Sequence, residues 1–198
     1  ETYEELEAFS TGKKIFTGTM QKPWVLLLSE GDKEELVVAS TASLGTLSYR
    51  TIDKEVQEDA IRMTLTDAAV PAGLKIASKS FFREDISNEL LNKSSLSFMI
   101  KPESAITEAV MLNMSCESEG DAPGSCRGSV DITENLKAME KDKWHALSVD
   151  LQCFSQQGVD FSGLVVPFHL LSTGNIQLSV SDIEFSFDTA DSATIKCE

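Results

Sequence analysis

The chain has 198 residues, of which 41 % are hydrophobic and 25 % are charged, a composition typical of globular proteins and unlike that of disordered ones. Its 17 basic and 32 acidic residues give a formal net charge of −15, which disfavours nucleic acid and anionic membranes as partners. The longest hydrophobic runs have the length of a strand, well short of the roughly 18 apolar residues of a membrane helix.

The sequence lacks the local motifs that usually carry catalysis, zinc binding or phosphate binding. Its two histidines, His145 and His169, lie in strand-like runs, and no GxSxG nucleophile motif accompanies them. There is no CxxC or HxxxH pair for zinc, and neither GxGxxG nor GxxxxGKS/T for a phosphate. We therefore expect no catalytic residues and no bound cofactor.

Short β-rich segments separated by turn signals follow one another along most of the chain. Residues 1–13 are polar and predict a linker or N-terminal extension. Pro71–Gly73 predicts a turn, Asp131–Lys141 a short helix and residues 188–198 a polar tail. Apolar or alternating runs predict strands over Ile15–Thr19, Trp24–Ser29, Glu35–Ala39, Thr46–Ile52, Ile61–Thr66, Leu74–Ala77, Leu96–Ile100, Val110–Met114, Trp144–Leu151, Leu164–Leu171 and Asn175–Phe187.

The strand pattern predicts an all-β fold. In the last run the alternation changes phase around Ser181 and Asp182, which predicts a β-bulge. Many short strands without intervening helices favour an antiparallel β-sandwich of jelly-roll type with one or two short helices. We expect this sandwich to span residues 14–187 as one domain.

Several segments in a fixed order resemble a known family. They are PWVLLL, SYRTIDKEVQEDAIRMTLT, MLNMSCES with CRGSVDITENL, and the run from WHALSVDLQCF to IQLSVSDIEF. The chain resembles the C-terminal domain of bacterial exo-1,3/1,4-β-glucan glucohydrolases of glycoside hydrolase family 3. The resemblance implies a galactose-binding-like β-sandwich. The family's catalytic parts, a TIM-like barrel and an α/β sandwich, have no room in this chain, so it implies an accessory domain and no activity of the chain alone.

The resemblance also directs the search for sugar-binding residues. Sugars stack on aromatic rings and bond to polar neighbours, which makes Tyr49 and Trp24 the candidate rings. Gln57, Asp59 and Arg62 form the densest polar cluster within the family pattern and are the candidate hydrogen-bonding groups. The alternatives are core packing for Trp24, packing with the hydroxyl at the surface for Tyr49, and a turn in which these polar side chains cap backbone groups while Arg62 pairs with an acid.

Four cysteines are present, two of them at the ends of a Gly- and Pro-containing polar loop. Because these ends can meet across a hairpin, we predict a disulfide between Cys116 and Cys126, with two free thiols as the alternative. Cys153 is expected to be a small buried hydrophobic residue, and Cys197 to be free or mobile. The loop beyond Cys116 looks longer than the family pattern.

The same loop is acidic. Its carboxylates Glu117, Glu119 and Asp121 could bind a structural calcium ion, although a solvated acidic loop is the favoured interpretation. No other metal or cofactor is expected.

The leading hypothesis is a non-catalytic accessory domain that binds β-glucan weakly or supports the catalytic domains of the same polypeptide. The alternative is a purely structural or interaction β-sandwich without affinity for sugar, and an independent hydrolase comes third because no pair of carboxylates stands out. The resemblance implies a periplasmic or extracellular location, with neither nucleic acid nor membrane as partner.

Overall fold

The computed structural model describes residues 12–88, 93–118 and 120–197, and the described part is predominantly β-structure. Two short α-helices lie within it, α1 at Thr133–Lys137 and α2 at Gln152–Ser155. Its strands are β1 (Gly12–Phe16), β2 (Trp24–Glu30), β3 (Lys33–Leu36), β4 (Thr41–Leu44), β5 (Leu47–Ile52), β6 (Ala60–Ser78), β7 (Ser95–Pro102), β8 (Met111–Ser115), β9 (Arg127–Asp131), β10 (His145–Asp150) and β11 (Val166–Ser186).

Two long strands, β6 and β11, pair with each other along most of their length and run through both layers of the sandwich. Residues 60–65 of β6 pair with β5 and with residues 176–180 of β11. This gives a first layer in the order β4-β5-β6-β11-β7-β10, with β1 beside the end of β11. The other half of β6, residues 72–78, pairs with β2, and the first half of β11 pairs with β8. The second layer is therefore β3-β2-β6-β11-β8-β9. All these pairings are antiparallel, as predicted.

The long strands change layer where their backbones depart from regular β geometry. Asp67 in β6 and Gly174 in β11 both have positive φ, at 53° and 71°, and the β6–β11 register shifts on either side of Gly174. A further register shift between Ser181 and Glu184, with Asp182 at φ 51°, confirms the predicted bulge.

The predicted turn at Pro71–Gly73 is wrong, because these residues lie inside β6. The glycine that suggested a turn has another role here. A Cβ on Gly73 would collide with the backbone oxygen of Leu170 on the neighbouring strand, so the two backbones approach more closely than another residue would allow.

The core lies between the two layers and takes alternate residues from nearly every strand. The rings of Phe98 and Phe168, one from each layer, meet edge to face with centroids 5.3 Å apart. Trp24 and Tyr49 also belong to this core, with 8 % and 6 % of their surface exposed. Core packing is therefore what the structure shows for both rings, which is the alternative considered for Trp24.

The ends of the described chain are joined to the sandwich. β1 begins at Gly12 and pairs with β11, so the sheet extends slightly beyond the predicted boundary at residue 14. Residues 188–197, predicted as a polar tail, pack along β10, where Ile195 forms a parallel bridge with Val149. Cys197 forms a disulfide with Cys153 in α2, with 5.1 Å between the Cα atoms, which corrects the expectation that neither cysteine is paired.

The helical prediction was correct in place but too long. The helix predicted over Asp131–Lys141 is α1, Thr133–Lys137. Asp131 lies outside it and accepts hydrogen bonds from the backbone N–H and hydroxyl of Thr133. No helix of the described residues is long and apolar enough to cross a membrane.

Candidate functional site

The outer face of the second layer carries side chains of a different kind from those of its core face. Alternation along β2 sends Leu26 and Leu28 into the core, while Leu27 and Ser29 face outward. Residues opposite one another in antiparallel strands point to the same face of the sheet. The strand pairings therefore identify the residues of the outer face on the neighbouring strands. One row across the layer runs from Leu27 through Lys75, His169 and Asn113 to Ser129.

A cavity of about 650 Å³ opens on this face, and we call it the cleft. At one end of the strands its margin is formed by Phe81, Glu117 and Ser118, and at the other end by Gly31 and Pro71. The complete lining is Ser29, Gly31, Glu34, Pro71, Lys75, Phe81, Asn113, Met114, Ser115, Glu117, Ser118, Arg127, Val166, His169 and Leu171. The cleft therefore lies across several strands and offers both hydrogen-bonding and apolar groups.

The floor of the cleft is polar. Ser29 Oγ lies 2.7 Å from His169 Nε2, and the hydroxyl of Ser129 donates to the side-chain oxygen of Asn113. Burial, with the positive charges of Lys75 and Arg127 nearby, lowers the pKa of His169 to about 3. The imidazole is thus neutral at ordinary pH, and the floor contains neutral hydrogen-bonding groups.

Two ion pairs lie in the lining. Lys75 on β6 pairs with Glu34 on β3. Arg127 on β9 pairs with Glu117 through Nη2 and Oε2 at 2.8 Å. Each pair combines a more exposed and a less exposed side chain, so both remain in contact with solvent. The charges of the lining are thereby matched one to one.

An aromatic side chain, Phe81, is placed at the margin by two loops. β6 and β8 are both antiparallel to β11, so their following loops emerge together beside the start of β11. The loops join where Ser118 Oγ donates to the backbone oxygen of Phe81 at 3.2 Å and where Arg83 pairs with Asp121 at 2.6 Å. Phe81 packs on the outer apolar group of Leu27, Ala77, Val165 and Val166.

The ring of Phe81 also contacts the floor, since Lys75 Nζ lies 5.5 Å from its centroid. Ser80 and Phe81 both adopt positive φ, at 58° and 56°. Two successive non-glycine residues in this region are uncommon and are stabilised only by their surroundings. The conformation turns Phe81 toward the cleft, while the adjacent Phe82 is 70 % exposed and does not line it.

The residues predicted for sugar binding lie elsewhere and do not form one group. Gln57 and Arg62 line a shallow polar hollow of about 540 Å³ at the edge of the first layer. Asp59 accepts hydrogen bonds from the backbone N–H groups of residues 54–56, which is a turn-capping role. The rings of Trp24 and Tyr49 are in the core, and desolvation with the nearby charge of Glu58 raises the pKa of Tyr49 to about 12.

Arg62 has a structural partner. Its Nη2 and Nε donate to the carboxylate of Glu103 at 2.6 and 3.1 Å. Burial acts to raise the pKa of Glu103, but hydrogen bonds from Arg62 and Ser179 outweigh it and hold that pKa below its usual value. The pairing of Arg62 with an acid is therefore observed, as the alternative interpretation held.

The cystine loop is formed as predicted, with Cys116 bonded to Cys126 and 5.3 Å between their Cα atoms. Its two described carboxylates have separate partners, Glu117 pairing with Arg127 and Asp121 with Arg83, while Glu119 lies outside the described residues. Across the residues that are described, no group of three His, Cys, Asp or Glu side chains is arranged to hold a metal ion. The loop thus serves as a wall of the cleft.

Comparison with known proteins agrees with this architecture. The family model of Exop_C, described as galactose-binding domain-like, matches residues 22–185, which is most of the chain. The chain belongs to the Exop_C family. No curated protein matches the chain by sequence. The resemblance found in the sequence is therefore confirmed, and the chain has a galactose-binding-like fold.

Solved structures of similar fold cover nearly the whole chain. The extra C-terminal domain of exo-1,3/1,4-β-glucanase from a Pseudoalteromonas species is 15 % identical with a TM-score of 0.71, covering 94 % of this chain and 99 % of that one. The exo-1,3/1,4-β-glucanase of the same organism is 16 % identical with a TM-score of 0.68 over 96 % of this chain, which spans only 21 % of its length.

A carbohydrate-binding module shows the same fold. The family 30 module of a cellulosomal cellulase from Clostridium thermocellum is 15 % identical with a TM-score of 0.61, covering 88 % of this chain and 96 % of that one. The predicted all-β sandwich is thereby confirmed. At such identities the likeness shows the fold alone.

Proposed function

We propose that this chain is the C-terminal accessory domain of a family 3 β-glucan glucohydrolase and that it binds β-glucan weakly in the cleft. The observation that carries the proposal is the cleft itself, which combines one aromatic ring with neutral hydrogen-bonding groups and paired charges. A sugar ring needs both features, an apolar surface for its C–H face and polar groups for its hydroxyls. Family membership and a neighbour named as an extra domain of a glucanase support the same proposal.

The rows of the floor suggest how a glycan chain lies in the cleft. Lys75, His169 and Asn113 occupy neighbouring strands in one row, so they are separated by the interstrand spacing of about 4.8 Å. A chain lying along this row crosses the strands and meets a polar group on each. Phe81, on the margin, then stacks against a sugar ring from the side.

The covalent structure and the family support a location outside the cytoplasm. Two disulfides are described, and disulfides persist mainly in oxidising surroundings outside the cytoplasm. We therefore place the domain in the periplasm or outside the cell, joined to catalytic domains in one polypeptide.

The affinity is expected to be low. One aromatic ring and a few hydrogen bonds amount to about −4 to −5 kcal/mol after the cost of association, which corresponds to near-millimolar binding. β-1,3- and β-1,4-gluco-oligosaccharides should therefore shift the NMR signals of residues that line the cleft at millimolar concentration. Shifts around Gln57 and Arg62 instead would assign binding to the polar hollow of the first layer, the second candidate surface.

Phe81 and Phe82 provide a matched pair of variants. Phe81→Ala should weaken binding by about tenfold, because it removes the stacking surface, whereas Phe82→Ala should leave it unchanged. Phe81→Leu retains apolar packing without the ring and separates stacking from folding. Isothermal titration and NMR titration measure both effects. If no oligosaccharide shifts the cleft signals of the unmodified domain, the supporting, purely structural role replaces sugar binding.

A further inference from the structure

The charges of the cleft differ from those of the protein as a whole. The chain carries a formal charge of −15. Among the described residues that line the cleft, the charged ones are Glu34, Lys75, Glu117 and Arg127, two of each sign. The lining is therefore electrically neutral on a strongly acidic molecule.

This neutrality depends on specific contacts. Glu34 reaches from the edge strand β3 to Lys75, and its side chain is 34 % exposed against 15 % for the lysine. Glu117 is 14 % exposed and pairs with the more exposed Arg127 at 2.8 Å. Each carboxylate thus occupies the place at which an anionic group of a ligand would contact the cation.

His169 and Asn113, on the strands between Lys75 and Arg127, and Ser29, which contacts His169, contribute neutral donors and acceptors. Neutral hydroxyl groups can exchange hydrogen bonds with such groups without displacing an ion pair. A carboxylated or sulfated sugar would have to compete with Glu34 or Glu117, and it would also approach against the charge of the whole molecule.

We propose that the Glu34–Lys75 and Arg127–Glu117 ion pairs make the cleft selective for uncharged glycans over acidic ones. This inference rests on the proposed sugar binding and names the residues that determine its selectivity. Glu34 and Glu117 act by keeping Lys75 and Arg127 unavailable to anionic ligands. Removing either carboxylate should release one cation and make the cleft positive.

The experiment compares two ligands that differ only at C6, a short β-1,3-gluco-oligosaccharide and the same oligosaccharide with its C6 hydroxymethyl groups oxidised to carboxylates. Dissociation constants are measured by NMR titration at low ionic strength, where charge effects are largest. The unmodified domain should prefer the neutral ligand. Glu34→Gln and Glu117→Gln should each shift the ratio of affinities toward the acidic ligand by about threefold to fivefold, as expected for a solvent-contacting charge pair.

Glu35→Gln is the matched control. It changes the net charge equally and lies on the same strand, but it pairs with the core-facing Leu28 and does not line the cleft. A shift of the ratio in Glu34→Gln and Glu117→Gln but not in Glu35→Gln supports the inference, provided that thermal unfolding shows all three variants folded. Sugar binding with equal ratios in all variants overturns the selectivity and leaves the proposed function intact. Absence of cleft shifts with either ligand overturns both.

Discussion

His169 shows how one side chain of the cleft couples stability to pH. Its partner Ser29 lies 140 positions away in the sequence, and its ring is kept neutral by burial, which lowers its pKa to about 3. In the unfolded chain the pKa returns to about 6.5. Below pH 6.5 the imidazole becomes protonated in the unfolded state but stays neutral in the folded state. The stability that is present above pH 6.5 is therefore lost as the pH falls toward 3.

Replacing His169 should remove this dependence. The advantage of the unmodified domain over His169→Gln in free energy of unfolding should shrink by about 2 kcal/mol between pH 7 and pH 5. Urea denaturation at both pH values measures it. The control is His145→Gln, which replaces the other histidine of the chain. His145 lies at the start of β10, where its Nε2 is 2.9 Å from the backbone oxygen of Glu140. Parallel pH profiles of the domain and His169→Gln would contradict the assignment.

For single residues, the sequence indicates the surrounding secondary structure better than it indicates which residue each side chain contacts. The alternation around His169 correctly indicates a strand, but its contact with Ser29 depends on the order of strands in the layer. Phe81 and Phe82 are equivalent in the sequence. Only the left-handed backbone at Ser80 and Phe81, together with the contact from Ser118, determines which ring enters the cleft. The site could therefore not be found from Tyr49 or Trp24.

The period-2 pattern of the sequence predicts strands correctly where the two faces of a strand differ clearly in polarity. β2, β5 and β7 agree with prediction to within a residue or two. β4 and β9 were missed, because they are short and have few large apolar residues, and they form through pairing with β5 and β8. The two runs before and after Gly174 are a single strand, since β11 bends there instead of ending.

The two disulfides join different elements and should have separable effects. Cys116–Cys126 spans 10 positions and closes the loop that forms a wall of the cleft, whereas Cys153–Cys197 spans 44 and joins α2 to the chain end. In the chain-entropy account, loops of these lengths stabilise the fold by about 2.8 and about 4.0 kcal/mol. We therefore expect Cys153–Cys197 to contribute more to the free energy of unfolding, and Cys116–Cys126 to have the larger effect on the cleft.

Double serine variants test this separation. Cys153→Ser with Cys197→Ser should lower the free energy of unfolding by about 1 kcal/mol more than the pair at Cys116 and Cys126. Only the latter should weaken binding of gluco-oligosaccharides, because it releases Ser118 and thereby the position of Phe81. Chemical denaturation and NMR titration report the two effects. Equal loss of sugar binding in both double variants would show that the loop has no specific part in the site.

The molecule as a whole is an acidic sandwich, and the cleft lies on one of its two outer faces, that of the second layer. The other outer face, of the first layer, carries hydroxyl and charged side chains that bond mainly to one another, such as Ser97 with Ser186 at 2.6 Å and Arg62 with Glu103. Trp144 lies at this layer, with Lys101 and Lys54 at 5.1 and 5.8 Å from its ring. The two faces therefore offer different surfaces, and a glycan bound in the cleft as proposed would leave the outer face of the first layer uncovered.

The two carboxylates that line the cleft belong to well-separated strands. Glycosidases of the usual kind place two carboxyl groups roughly 5 to 10 Å apart across the scissile bond. Glu34 lies on β3 and Glu117 follows β8, with β2, β6 and β11 between them, so their backbones are about 19 Å apart at the usual strand spacing. Glu34 reaches toward β6 and Glu117 toward Arg127 on β9, so each carboxylate is engaged by its own cation.

We therefore expect the isolated domain to leave laminarin, cellobiose and aryl-β-glucosides intact while still binding gluco-oligosaccharides. The measurement is release of glucose or of the aryl group over long incubation, with Glu34→Gln and Glu117→Gln assayed beside the unmodified domain. Because a trace of contaminating glycosidase would act equally in all three preparations, only turnover that survives repurification and disappears in one variant would contradict the expectation. Such a result would place a catalytic carboxylate in the cleft, and the neutral lining would then have to be explained as part of an active site.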